Sequence, residues 1–449
     1  MAKNSLLYSI VSHHIFIFQP LPVIIVELWQ HESKSESMKL PRKTVSILLA
    51  VTITAAIIIF GNSVWASDEL AVRKNVVDLT PEERAEFVDA IATLKTTTLP
   101  DRKLSIYDEF VAQHVAAMGL MLKDAKGPAA GHDGAHESSL FFPWHREFIH
   151  RFEQCLRSVN PRVTLPYWDW TNPEALDVIF QDDFMGPNGE GVNLELPGLG
   201  SVSGGPVQSG AFSENNGWII NPDLHLKESG ETFGSALLRF LQVPPTNVYP
   251  VPKEDEKQIL AINDYDTFRQ AVEGFIKVDS QGKRTPGVFQ HNYFHSFVGG
   301  ATFDPAIGRP EALGTMGALA SSINDPVFWL VHSNVDRIWA EWQKDGHEGS
   351  QFYPASGLHY GENLKDRLWP WDGGESTPAN QGNRDQLSLL PGVPPDDIVT
   401  PENTLDWRKY GYTYDTLGES QTASTSRLGI FALTAFGMLS WQLFKSQRA

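Results

Sequence analysis

Apolar positions recur at helical spacing around three separate histidines. Between Ile106 and Leu122 the residues Phe110, Val111, Ala117, Met118 and Met121 form one stripe, and His114 falls within it. The pattern predicts a helix that turns this imidazole inward. From Leu140 to Val159 the stripe is Phe141, Phe148, Phe152, Cys155 and Leu156, with His145 on the same face and Arg146, Glu147, Arg151 and Glu153 mostly elsewhere. A third helix is predicted after Asn324-Asp325-Pro326, which supplies a cap and a first-turn proline; it carries Phe328, Val335, Trp339 and Trp342 with His332 in phase. Between Phe289 and Val298, His291 and His295 stand four apart and share a face, with Phe294 and Val298 beside them.

Two uncharged apolar runs lie outside this region. Residues 45–60 follow Lys39, Arg42 and Lys43 and precede Val64-Trp65-Ala66-Ser67, the basic, apolar, small-residue order of a secretory signal. Residues 38–66 therefore read as a signal peptide cleaved after Ala66, and 1–37 as an upstream extension outside the fold. Residues 428–444 precede Lys445 and Arg448, and residues 415–427 form a polar linker before them. Residues 428–449 read as a C-terminal membrane anchor, with the bulk of the chain lumenal or extracellular. Residues 67–414 read as one domain without a short repeat. Its Gly- and Asn-rich stretch 186–216 and its Pro- and Gly-rich stretch 370–395 are expected to be long loops.

Composition narrows the chemistry. The chain has 449 residues, 41% hydrophobic and 20% charged, ordinary globular usage that excludes a disordered or wholly membrane-embedded protein. A formal charge of −18 argues against nucleic acid as a partner and favours a small neutral or cationic one. The single cysteine, Cys155, excludes a disulfide framework, a Cys-rich zinc module and a CxxC redox pair. Any metal must be held by nitrogen or oxygen.

A core histidine bonded to backbone is the ordinary explanation for any one of these residues. It would have to hold three times independently and also cover the pair His291 and His295. Helices that turn several imidazoles toward one interior are the means by which bundles build metal sites. A carboxylate-bridged di-iron site needs two Glu-x-x-His pairs, and only Glu147 to His150 has that spacing. An all-imidazole set selects copper or zinc. Zinc on three histidines would leave half of them unexplained, because His136, in a loop nine residues before His145, makes a sixth candidate. Six imidazoles divide into two three-coordinate sites, each with an open position.

His136-Glu-Ser-Ser-Leu-Phe-Phe-Pro-Trp-His145, continuing to Glu153, and Leu165-Pro-Tyr-Trp-Asp-Trp170 resemble the first copper signature of the tyrosinase and catechol oxidase family. His291-Asn-Tyr-Phe-His295 and Asn324-Asp-Pro-Val-Phe-Trp-Leu-Val-His332 resemble the second, and Tyr410-Gly-Tyr412 is similar to a tyrosine motif of some members. The resemblance implies a mainly α fold, an antiparallel four-helix bundle with long loops and few short strands. It implies two copper ions, one on His114, His136 and His145 and one on His291, His295 and His332. Dioxygen and a small phenol would be the reactants, with o-diphenols oxidised to o-quinones and monophenols or o-aminophenols as further candidates. A hemocyanin-like oxygen carrier and a zinc hydrolase remain the alternatives. Phe328 matches an aromatic at the substrate site, Asn292 an asparagine that orients a water, and Asp336, one turn after His332, a carboxylate that would fix its tautomer.

The chain also departs from the family pattern. Val331 stands where many relatives carry a further histidine, and Gly134 where some carry a cysteine linked to a ligand, so Cys155 is expected to be a small buried hydrophobe. Between Gln281 and Gln290 there is no carboxylate to serve as proton acceptor for a monophenol, which favours substrates whose protons leave more easily. His132, His225, His347 and His359 match no ligand position and read as loop or surface residues; His150 reads as a surface residue or a partner to a ligand.

Overall fold

A computed structural model describes residues 70–118, 123–124, 127–128, 133–227, 229–304, 309–374 and 388–418. The upstream extension, the signal-like segment, the apolar run 428–444 and His132 lie outside the described residues. Among the described residues no helix is long and apolar enough to cross a membrane.

The chain is mainly helical. Helix α1 (Pro81–Thr96) starts at a capping box, in which Thr80 Oγ1 accepts from Glu83 N and Glu83 Oε2 accepts from Thr80 N, with Pro81 at the first position. It packs on α2 (Ile106–Met118) and α3 (Phe141–Val159). After the short α4 (Ala175–Ile179) come α5 (Lys253–Leu260), α6 (Tyr265–Glu273), α7 (Gln290–Gly299), α8 (Val327–Trp342) and a single turn, α9 (Pro401–Thr404). The four histidine-bearing helices are thus α2, α3, α7 and α8, with bounds close to those the apolar stripes predict. Their inner faces share one core. Phe148 of α3 meets Phe110 of α2 edge-on at 5.4 Å and stacks on Trp329 of α8 at 5.5 Å.

Strands are short and peripheral to this core. The expected loop 186–216 instead contains β4 (Val192–Leu196) and β5 (Gly200–Pro206), with β1 (Ala71–Arg73), β2 (Lys123–Asp124) and β3 (Gly127–Pro128) earlier in the chain. Val192, Leu194 and Leu196 alternate along β4 as a half-buried strand requires. The glycines that suggested a loop serve close packing: β5 also pairs with β6 (Leu238–Arg239), and a Cβ on Gly204 would stand 2.4 Å from Phe240 and 2.5 Å from the Arg239 carbonyl. Strands β7 (Ile276–Val278) and β8 (Arg284–Pro286) form a hairpin between α6 and α7, and β9 (Ala301–Asp304) and β10 (Arg309–Ala312) form another after α7.

The two ends of the described chain meet below the histidines. Strand β1 pairs in parallel with β11 (Tyr412–Tyr414), and Arg73 lies over the Tyr412 ring at 3.5 Å. Its guanidinium bonds Glu153 of α3 at 2.7 Å and Asp336 of α8 at 3.1 Å, all of them buried. The Tyr410-Gly-Tyr412 motif therefore closes the base of the bundle.

Candidate metal centre

The structure brings all six predicted histidines into one buried space. His114 lies 5.3 Å from His136 and 6.1 Å from His145 between ring centroids, and His136 lies 4.7 Å from His145. In the second triad His291 is 4.5 Å from His295 and 4.8 Å from His332. Within each triad the ligand atoms fall within 4.8 Å of one another. The triads face each other across His145 and His332, stacked at 4.3 Å, and across His136 and His291 at 6.1 Å.

On every ring but that of His332 the outer nitrogen is held by an acceptor, and that orients the inner one. Nδ1 of His114, His145 and His295 meets the carbonyls of Ala320, Phe141 and Met316 at 2.9, 2.7 and 3.0 Å. His291 Nδ1 meets Asn292 Oδ1 at 3.1 Å and the Glu273 carbonyl at 3.3 Å. Each such bond puts the proton on Nδ1 and leaves a lone pair on Nε2. His114 Nε2 and His145 Nε2 are buried without a partner, and His291 Nε2 faces His295 Nε2 at 2.9 Å and His332 Nε2 at 3.3 Å. Buried lone pairs aimed at one another are unfavourable unless a cation lies between them. Burial, reinforced by neighbouring imidazoles, pushes His114, His145, His291 and His332 well below the ordinary range, and burial brings His295 down to about 4. Neutral nitrogen donors in two sets of three suit copper or zinc.

The comparisons with known proteins decide between the readings that chemistry leaves. The common central domain of tyrosinase matches residues 104–345, more than half of the chain and all six histidines. A tyrosinase of Streptomyces glaucescens is 34% identical over 315 residues, which cover 69% of this chain and 95% of that protein. The chain belongs to the tyrosinase family. A grixazone synthase of Streptomyces griseus subsp. griseus is 30% identical over 334 residues, covering 69% of this chain and 95% of its own. A solved polyphenol oxidase variant from Thermothelomyces thermophila shares the fold, with a TM-score of 0.51 at 21% identity over 84% of this chain and 98% of that one. This tyrosinase-family chain is a copper oxidoreductase that uses dioxygen on phenols, and its two histidine triads fit a binuclear copper site. The oxygen-carrier and zinc-hydrolase alternatives lose their ground.

Other sequence expectations meet the structure unevenly. Phe328 is fully buried, its ring 4.0 Å from His332, 5.0 Å from His114 and 6.3 Å from His295, so it forms a floor under both triads. Asp336 does not reach His332, whose Nδ1 has no partner; two guanidiniums and two tyrosine hydroxyls draw its carboxylate to the base of the bundle. His225 and His347 are buried rather than on the surface. His225 bridges the Gly234 carbonyl and Thr315 Oγ1, and His347 stacks on Trp342 and bonds Asn263. His150 is partly buried against Tyr410, and His359 is exposed. Cys155 packs against the core, and burial pushes its thiol up to about 12.

Two carboxylates at the site escape the sequence patterns. Glu273 ends α6, eighteen residues before His291, yet its backbone carbonyl reaches that ring. The β7–β8 hairpin leaves and returns at one point. Phe289 N donates to the Gly274 carbonyl at 3.0 Å, and Gly274 has φ +105° with the Phe289 carbonyl 2.0 Å from where a Cβ would stand. Glu273 Oε1 accepts from Glu137 N and Oε2 from Arg269 Nη1, each at 2.7 Å. Burial raises this carboxyl above its usual range, although Arg269 and His136 oppose the shift.

Asp133 is the second. Its Oδ1 accepts from Ala135 N at 2.7 Å and His136 N at 3.0 Å, and it stands 3.3 Å from His136 Nδ1. His136 is the one predicted ligand outside a helix, and this turn holds it in place. Burial lowers the imidazole, but the Asp133 carboxylate, with Glu273 and Glu137, outweighs that and moves it up. Asp133→Ala is expected to weaken copper retention about 10- to 100-fold in competition with a chelator, and Asp133→Asn, which keeps the acceptor to both backbone N–H groups, by less. Equal retention by all three proteins would remove this role from Asp133.

Proposed function

We propose that His114, His136 and His145 hold one copper ion, that His291, His295 and His332 hold the second, and that the chain oxidises o-diphenols and o-aminophenols. Two such substrates give up four electrons and four protons to one dioxygen, yielding two o-quinones or o-quinone imines and two waters. Bound copper supplies the one-electron steps that couple dioxygen to this two-electron oxidation. The observation that carries the reading is the set of inward Nε2 atoms, four of them on rings whose Nδ1 is tied to an acceptor.

The chain's own groups bind, orient and move protons. Asn292 Oδ1 is engaged by His291 Nδ1, which leaves the Asn292 amide N–H groups to hold a water or a phenol oxygen. Glu273, anchored by Arg269 and Glu137 N, supplies the carboxylate that residues 281–290 lack, so a proton acceptor for a monophenol is built into the site. Monophenol oxidation is accordingly within the chain's reach. The basic, apolar, small-residue order of residues 38–66 supports delivery of residues 67–414 into the secretory route.

Oxygen uptake by the copper-loaded chain on catechol, o-aminophenol and tyrosine tests the reading. Two coppers per chain and turnover of catechol and o-aminophenol are expected; a copper-loaded chain that turns over neither overturns it. In Glu273→Gln the tyrosine rate should fall about 100-fold or more, far more than the catechol rate. A proportional fall in both would remove the proton-acceptor role.

A further inference from the structure

We propose that Glu137 selects phenols bearing a cationic side arm, such as an aminoalkyl group, over those bearing a carboxylate. The inference rests on the oxidase reading above and names the substrate class of that site.

Glu137 follows directly on His136, and its side chain is exposed where residues 134–136 and 138–140 are buried. Its backbone sits at φ +58°, uncommon for a residue with a side chain, and the bond from its N–H to Glu273 Oε1 at 2.7 Å fixes it there. Three carboxylates surround His136, and two are committed. Asp133 accepts from two backbone N–H groups and faces the His136 ring; Glu273 is bonded to Arg269 and to Glu137 N. The Glu137 carboxylate has no hydrogen bond or salt bridge among the described residues. As the chain neighbour of His136, it places its charge beside that ligand.

The helix across the site offers nothing to balance it. Residues Gln290–Gly299 of α7 include no Asp, Glu, Lys or Arg. Arg269, the base paired with Glu273, is buried and spends its charge on Glu273 and Asp266. A phenol with its ring between the triads and a short arm reaching outward past His136 therefore meets one negative charge that no cation pairs with among the described residues. Attraction of a cation and repulsion of an anion at a partly exposed carboxylate add in the ratio between the two substrates, which should be on the order of tenfold at low ionic strength and fall as salt screens it. The chain's charge of −18 acts in the same sense on encounter.

The test compares kcat/KM of the copper-loaded full chain for 4-(2-aminoethyl)catechol, neutral 4-methylcatechol and 3-(3,4-dihydroxyphenyl)propanoate. The expected order is cation, neutral, anion, with the difference mainly in KM and shrinking in 0.5 M salt, a condition chosen at about ten times ordinary low-salt buffer. Glu137→Gln keeps the backbone bond to Glu273 and should cut the cation-to-anion ratio severalfold, and Glu137→Lys should invert it. A ratio near one in the unaltered chain, or the same ratio in Glu137→Gln with an unchanged melting curve, overturns the inference and leaves the oxidase reading intact. Failure to turn over even 4-methylcatechol overturns the oxidase reading first, and this inference with it.

Discussion

Replacing His332 with alanine is expected to reduce bound copper from two per chain toward one and to slow catechol oxidation by on the order of 1,000-fold or more, because removing one of three nitrogen donors empties its triad and a two-electron oxidation needs both metals. The fold should survive. Phe328, Val335 and Trp339 keep α8 in the core, and the lost ring removes an imidazole whose Nδ1 has no partner and whose Nε2 crowds that of His291. The stabilisation that copper gives by binding only the folded chain, about 4 kcal/mol at a thousandfold excess over the dissociation constant, should shrink in the variant. Elemental analysis and copper-dependent melting read this independently of activity. Two tightly held coppers in His332→Ala, or a full catechol rate, would contradict the assignment of the second triad.

The histidines that sequence periodicity locates are those on regular helices. His114, His145 and His332 lie in apolar stripes with a period of 3.6, and His291 and His295 share a face by their spacing alone. His136 has no period, because a turn built on Asp133 positions it, and only its distance from His145 and the family resemblance single it out. Glu273 was invisible for a different reason: the hairpin inserted after Gly274 makes its distance along the chain unrelated to its distance in space. Asp336 shows the limit of helical spacing as a guide. One turn from His332 it has the right phase to support the ring, but Arg73 and Arg146, drawn from far parts of the chain, outbid the imidazole for its carboxylate. His225 and His347 look like loop residues in sequence, and only long-range partners such as Thr315 and Asn263 make them core groups. Local periodicity thus reports which face is buried. It does not report which distant side chain will meet a polar group there.

Asp336→Ala should destabilise the fold by about 3–5 kcal/mol. In the unaltered chain Asp336 bonds Arg146 Nε at 2.5 Å, Arg73 Nη1 at 3.1 Å, Tyr412 Oη at 2.5 Å and Tyr414 Oη at 2.6 Å, and both guanidiniums are fully buried. Arg73 retains Glu153, but the remaining bonds of Arg146, to Gln343 Oε1 and the Thr404 carbonyl, are to neutral groups. Truncation therefore strands a buried cation next to Trp339, over which it lies at 3.7 Å, and loosens the junction of β1 with β11. Asp336→Asn, which keeps an acceptor of the same shape, should lose less. The pH dependence follows from the shift. Burial raises the Asp336 carboxyl, but Arg146 and then Arg73 outweigh it and hold the group below its ordinary value. A depressed folded value means the contribution is complete above the unfolded value of about 3.9 and is lost as pH falls through the folded one. The gap between the unaltered chain and Asp336→Ala in urea unfolding should accordingly be flat from about pH 5 to pH 8 and narrow only below about pH 4. A gap under about 1 kcal/mol at neutral pH, the size expected of an exposed pair, would show that water reaches the two arginines and that the base of the bundle is not sealed.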